Sequence, residues 1–198
     1  MSRDAGTPTV VLATDLGMRC DRATARAKRL ADASAGAGIA ATVVAPADAI
    51  AREVLARDAP AWYLPVSPLV RARNQLQREF EERDGWSVRI GEGEPAAFLG
   101  RQLDEAGDDA LVVTGPVREG VLGPTVLGST VDALLRRPRL SLLVVREPVQ
   151  ADYRRLLVTT DFSAPSRQAL LRARALFPAA SLVVLHGFGV PMLGMMDT

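Results

Sequence analysis

Apolar residues along this chain follow two spacings that take turns. Short runs that predict strands recur at 9–14, 39–45, 86–91, 110–114 and 140–146, most of them continuously apolar, as in TVVLAT, IAATVVA, ALVVT and LSLLVVR. Runs of this length without polar alternation suit parallel strands covered on both faces. Between them the apolar positions recur every three to four residues, which predicts helices near 20–35, 69–84, 94–107 and 129–137, with a less regular one at 47–57. The alternation predicts an α/β fold: a five-stranded, mainly parallel sheet sandwiched by helices. Right-handed crossovers make it doubly wound. Between Ala59 and Pro68, three prolines with Trp62 and Tyr63 mark an irregular connection.

The stretch from Ala110 to Arg137 carries the most chemistry. Its apolar run stops at Gly115, Pro116 stiffens the exit, and a turn-rich loop leads to Gly128, Ser129 and Thr130 at the start of a helix. Strand ends of this kind face ligand crevices. Gly115 can turn sharply, through a positive φ, and let a ligand approach the backbone. Ser129 can cap the helix while Asp132 reaches back to it. The free amides of the first turn attract anions, although Asp132 adds a negative charge beside them. An ordinary strand-to-helix crossover with a tidy cap has the same local pattern, so both readings stand at this point.

A chain of 198 residues allows one ordinary domain with an extension, and 48% hydrophobic residues suffice for a core. With 24 basic against 23 acidic residues, bulk charge implies neither nucleic acid nor an anionic membrane as partner. Cys20 is the only cysteine, which excludes an intrachain disulfide and suggests a reducing cytoplasm. One cysteine and one histidine, His186, are too few for a zinc cluster. The opening MSRDAGTP has no hydrophobic signal core, and no run approaches the length of a membrane span.

A repeat organises the rest. TVVLATD at 9–15 aligns with RLLVTTD at 155–161, 146 residues on, and the match continues without a gap through Ala23 and Ala169, Arg26 and Arg172, Ala27 and Ala173, and Leu30 and Leu176. Duplication explains two ungapped runs that both reach Thr-Asp better than chance does. Residues 1–146 then form a complete domain, 147–154 a linker, and 155–198 an incomplete second copy of β-α-β form. A piece of that size cannot cover both faces of its sheet and is marginal alone. Met192, Met195 and Met196 near its end suggest an adaptable contact surface or an interrupted connection.

These passages resemble the universal stress protein family. The resemblance rests on VVLATDLGMRCDRATARAKRLA, on VVTGPVREGVLGPTVLGSTVDALLRRPRLSLLVVRE, and on RLLVTTDFSAPSRQALLRARALFPAASLVVLHGF. It implies the adenine-nucleotide alpha hydrolase-like fold and a tandem member whose second domain is cut short. Members of the family that bind ATP use a loop of the form G-x2-G-x9-G-S/T, and Gly115, Gly128 and Ser129 match it. Arg118 stands where the middle glycine is expected. A guanidinium is a strong phosphate partner, yet its bulk fills space where a triphosphate would lie. The resemblance also places Asp15 at the nucleotide site, where capping of the following helix is an equal alternative, and an adenine contact near Val44 or Ala45. In the second copy Asp161 and Ser163 match the opening, without a phosphate loop.

The resemblance implies a non-enzymatic stress-response protein that binds ATP or a related anion in its first domain and acts through association. Mg²⁺ would enter only with nucleotide. Family members often dimerise through the last strand, here 140–146. The alternative is a nucleotide-free interaction module whose phosphate site is closed by Arg118. No GKS or GKT triplet follows a glycine loop, so a nucleotide-processing enzyme has little support.

Overall fold

Continuous apolar strands need cover on both faces, and the architecture supplies it. The computed structural model describes residues 8–44, 66–80, 83–116, 129–137 and 139–188. Within it two compact units separate, Met1–Val149 and Gln150–Thr198. The expected helix at 47–57, most of the connection from Ala59 to Pro68, and the three C-terminal methionines lie outside the described residues.

In the N-terminal unit five strands form one sheet: β1 (Val10–Ala13), β2 (Gly38–Val44), β3 (Trp86–Glu92), β4 (Leu111–Thr114) and β5 (Ser141–Val144). Their order is β3-β2-β1-β4-β5, and every neighbouring pair is parallel. Among the described residues, four helices flank them: α1 (Asp21–Ser34), α2 (Pro68–Phe80), α3 (Pro95–Ala106) and α4 (Ser129–Leu135). A short 3₁₀ turn, Met18–Cys20, leads into α1. Among the described residues, no helix is long and apolar enough to cross a membrane.

The two faces of the sheet are sealed differently. Successive residues of a strand point to opposite sides. Val11, Ala41 and Val112 form a cluster with Phe98, Leu99 and Leu103 of α3 and Leu134 of α4. Val10, Leu12 and Ala40 alternate with them and are as deeply buried. On this side α1 packs on β1 and β4, and α2 on β2 and β3. Helix α1 buries only Ala23, Ala27 and Ala31 among its apolar residues, so small side chains let it lie close to the strands. At Gly38 close approach is obligatory: an added Cβ would lie 2.3 Å from the ring of Trp86, which itself packs 4.5 Å from Phe80.

Two helices stop short of the ranges expected for them, 69–84 and 129–137, near their last apolar residues. Helix α2 is described as far as Phe80, Arg83 lies outside it, and Gly85 adopts φ +81° in the turn into β3. Helix α4 ends at Leu135, and Pro138 follows closely, disfavouring helical backbone before it. Helix α3 begins cleanly because the Glu94 carboxylate accepts the Ala96 and Ala97 amides while Pro95 opens the first turn.

The C-terminal unit is a single crossover: β6 (Arg155–Thr159), α5 (Ala164–Leu176) and β7 (Ser181–Leu185), with the strands parallel. Its first turn has the same geometry as the turn after β1. Thr14 Oγ1 accepts the Leu16 amide at 3.0 Å and Asp15 Oδ1 accepts the Gly17 amide at 2.8 Å. Thr160 Oγ1 likewise accepts the Phe162 amide at 3.0 Å, and Asp161 Oδ1 the Ser163 amide at 2.9 Å. Between each pair of bonds sits one left-handed residue, Leu16 at φ 60° and Phe162 at φ 63°. That conformation costs a residue with a Cβ roughly 1–2 kcal/mol. The two side-chain acceptors offset it, which is a physical reason for Thr-Asp at both strand ends.

The bonds around Asp161 have a titration consequence. Hydrogen bonds from the Ser163 side chain and amide, then Ser166, lower its carboxyl from an ordinary 3.8 to about 2. A depressed carboxylate stabilises the fold fully above its unfolded value and loses that contribution as pH falls through its folded value. The loss should therefore fall between pH 3.8 and about 2. Carboxyl NMR titration is expected to give Asp161 a midpoint near the lower figure, and Ser163→Ala to raise it; an ordinary midpoint in the wild-type chain would contradict the turn geometry.

Candidate functional site

The strand order fixes where a crevice opens. From β1 the chain moves outward to β2 and β3, and later returns to the opposite side of β1 with β4 and β5. The reversal lies between β1 and β4, and ligands of open parallel sheets bind outside the strand C-termini at such a point. A cavity of about 590 Å³ lies there. The ends of β1, β2 and β4 contribute Thr14, Thr42, Val43 and Thr114; the turn after β1 contributes Asp15, Met18 and Cys20. Leu99 of α3, Thr130 and Leu134 of α4, and Leu142 of β5 close the wall on the side of the Phe98 cluster. The lining is thus apolar toward the sheet, with threonine hydroxyls at the strand ends.

Gly115 is needed here for space rather than for an unusual backbone angle. It is buried, and it is not among the glycines with positive φ, Gly85, Gly93 and Gly107. A Cβ on Gly115 would lie 3.0 Å from the Arg19 carbonyl oxygen and 3.3 Å from Cys20 Cα and Sγ. The close neighbour is the 3₁₀ turn after β1. Its packing against the β4 exit holds the two sides of the crevice together, so the expectation of a positive φ is corrected to one of close approach.

Asp15 is exposed at the rim, and its Gly17 bond caps a turn two residues on. Helix α1 begins later, after Cys20 as N-cap, without a side-chain capping bond from that residue. Cys20 is only 8% exposed. Burial pushes its thiol up, with the backbone and carboxylate of Asp15 as secondary influences. A thiol held protonated is a poor nucleophile, which fits a packing role.

Of the residues singled out in the sequence, Asp15, Gly115 and Thr130 line the cavity together. Val44 ends β2, where its carbonyl accepts the Gly93 amide at 3.4 Å; Thr42 and Val43, just before it, face the cavity. Helix α4 begins at Ser129. Ala45, Arg118 and Gly128 lie outside the described residues. Sequence reasoning missed Thr14, Thr42, Thr114, Leu99 and Leu142. The three threonines share one signal, a hydroxyl at or near the C-terminal end of an apolar run; the two leucines have none.

A second groove, of about 690 Å³, runs along α1 and α2 and is lined by Thr24, Lys28, Asp32, Gln75, Glu79 and Arg83. Two ion pairs cross it, Lys28 with Glu79 and Arg83 with Asp32. The switch-point cavity is therefore the candidate site: it sits where the topology opens the sheet and has unmatched apolar walls.

The universal stress protein family model matches residues 7–146. No curated protein shows significant sequence similarity to the chain. Among solved structures, universal stress protein UspA from Lactobacillus plantarum aligns with a TM-score of 0.53 at 17% identity, covering 72% of this chain and 100% of that one. The hypothetical protein MJ0577 aligns with a TM-score of 0.50 at 17% identity, covering 73% and 99%. A universal stress protein in complex with cAMP aligns at 26% identity with a TM-score of 0.47, covering 71% and 98%. The first two likenesses concern the fold. Since that match runs from before β1 to just past β5, the chain belongs to the universal stress protein family.

Proposed function

We propose that the N-terminal unit binds an adenine nucleotide, or a related anion, in the switch-point cavity, and that the protein serves a stress response through association rather than turnover. One observation carries this reading: a cavity of about 590 Å³ at the point where the strand order reverses, bounded by the turn of Asp15 and Gly17 after β1 and by the β4 exit at Gly115. Its volume lies within the range of roughly 300–1,000 Å³ typical of small-molecule sites. Val43, Leu99 and Leu142 offer apolar cover for a base, and Thr14, Thr114 and Thr130 offer hydroxyls for a ribose or phosphate. The loop that would carry most phosphate contacts is Gly115 to Ser129, by its match to the family's ATP-binding form. Mg²⁺ would arrive with the nucleotide.

Arg118 favours a second reading, in which the phosphate site is closed and the domain serves interaction alone. If Arg118 holds phosphate, Arg118→Gly removes a charge-assisted bond and should weaken ATP binding about tenfold or more. Isothermal calorimetry reads the difference directly. A gain in affinity would favour the closed site instead.

Association is proposed to use exposed strand edges. Strand β5 is the last of its sheet, and its residues Ser141–Val144 are half-buried. The C-terminal unit is proposed to be the opening of a second domain of the same family. The identical Thr-Asp turns, 146 residues apart in sequence, support that reading.

A further inference from the structure

The wall of the switch-point cavity is apolar or hydroxyl-bearing almost throughout. Among its described residues the charged ones are Asp15 and Arg19, an acid and a base in the same turn after β1. An anion entering the cavity is repelled by the first and attracted by the second.

The backbone around Arg19 is held on several sides. Asp15 Oδ1 accepts the Gly17 amide at 2.8 Å, and the Gly17 carbonyl accepts the Cys20 amide at 2.8 Å. The Arg19 carbonyl oxygen abuts Gly115, 3.0 Å from where a Cβ would stand. The residue itself is exposed. Other arginines of this unit are engaged: Arg83 with Asp32, Arg137 with Asp104, and Arg22 with the Arg146 carbonyl. Among the described residues, none holds the Arg19 guanidinium. On a fixed backbone, such a guanidinium can turn to an incoming anion without breaking an existing bond.

We propose that Arg19 sets the ligand class of the cavity: it holds a phosphate group, so that a phosphorylated nucleotide is selected over the uncharged nucleoside. The proposal rests on the reading of the cavity as a nucleotide site. A guanidinium presents a planar fork of donors that matches phosphate oxygens. The hydroxyls of Thr14, Thr114 and Thr130 bond neutral and charged ligands alike, so they do not supply the distinction. Arg19 also offsets Asp15, whose carboxylate stands on the same rim.

Calorimetric titration of the full chain with ATP and with adenosine, at low and high salt, tests this. Arg19→Gln removes the charge and keeps a polar side chain. It is expected to weaken ATP binding about tenfold and to leave adenosine binding unchanged within about twofold. Its ATP affinity should also fall less steeply with salt than that of the wild type, because an ionic contact is gone. Arg19→Lys should recover part of the loss. A merely structural role of the turn predicts a different pattern, in which both ligands weaken together and the urea midpoint drops. Equal losses for the two ligands overturn the proposal and leave the nucleotide reading of the cavity intact. So does undiminished ATP binding by Arg19→Gln with unchanged salt dependence, or a wild-type chain that binds adenosine as tightly as ATP. Where adenosine binds too weakly to measure, the loss for ATP and its salt dependence decide. A wild-type chain that binds neither ligand overturns the nucleotide reading itself, and this proposal with it.

Discussion

Gly115→Val is expected to abolish nucleotide binding and to destabilise the N-terminal unit by about 1–3 kcal/mol, the usual cost of overpacking a filled site. The position has no room. A Cβ there would meet the Arg19 carbonyl oxygen at 3.0 Å and Cys20 Cα at 3.3 Å. Both are backbone atoms, which cannot swing aside as the end of a long side chain can. Valine adds two methyl groups beyond that Cβ. Relief requires the 3₁₀ turn Met18–Cys20 to move from the β4 exit, and that turn carries Met18, Arg19 and Cys20 into the cavity wall. Gly115→Ala should show a weaker version of both effects. Urea unfolding gives the stability term and calorimetry the binding term. Wild-type stability together with wild-type affinity in Gly115→Val would show that the turn and the strand exit are not coupled.

Leu12→Ala should carry a larger stability cost, about 2–5 kcal/mol. Leu12 is fully buried in the central strand β1, paired with Ala40 on one side and Val113 on the other. Its side chain lies on the sheet face that α1 covers, where the buried apolar helix residues are alanines. Alanines have no flexible length with which to fill the resulting void, so little relaxation is available. Domains of this size have a total stability of roughly 5–15 kcal/mol. The loss is thus a large fraction of the whole and should appear as a lower urea midpoint with an unchanged slope. A cost below about 1 kcal/mol would mean that α1 closes onto the strand.

The strands were legible because a central parallel strand admits no polar residue on either side. TVVLAT and ALVVT announce themselves through composition alone, and both are observed within a residue or two of their expected ends. The end of α2 was less legible, since residues 81–84 are all charged and no apolar position marks the stop before the turn near Gly85. In the site, Asp15 and Gly115 stood out as residues and both line the cavity, but Gly115 does not take the expected positive φ. Asp15 holds a turn amide, and Gly115 makes room for Cys20, a contact between distant parts of the chain that no local pattern encodes. Leu99 and Leu142 were invisible for the same reason: each reads as an ordinary core position until the topology sets both beside the ends of β1 and β4.

The repeated Thr-Asp turn belongs to both parts of the account. In the N-terminal unit it positions the 3₁₀ turn against Gly115 at the crevice. In the C-terminal unit it leaves Asp161 exposed and ionised at the end of β6, with Phe162 held outward in a left-handed conformation. The same local device thus opens each unit, at the crevice in the first and at an exposed strand end in the second.

The central claim is that the switch-point cavity binds an adenine nucleotide. Calorimetric titration of the full-length, nucleotide-stripped protein with ATP tests it most directly, with Gly115→Val as the matched control. The account predicts saturable binding at one site per chain in the wild type and none in the variant. Absence of binding by the wild-type protein, or equal binding by both, would contradict it.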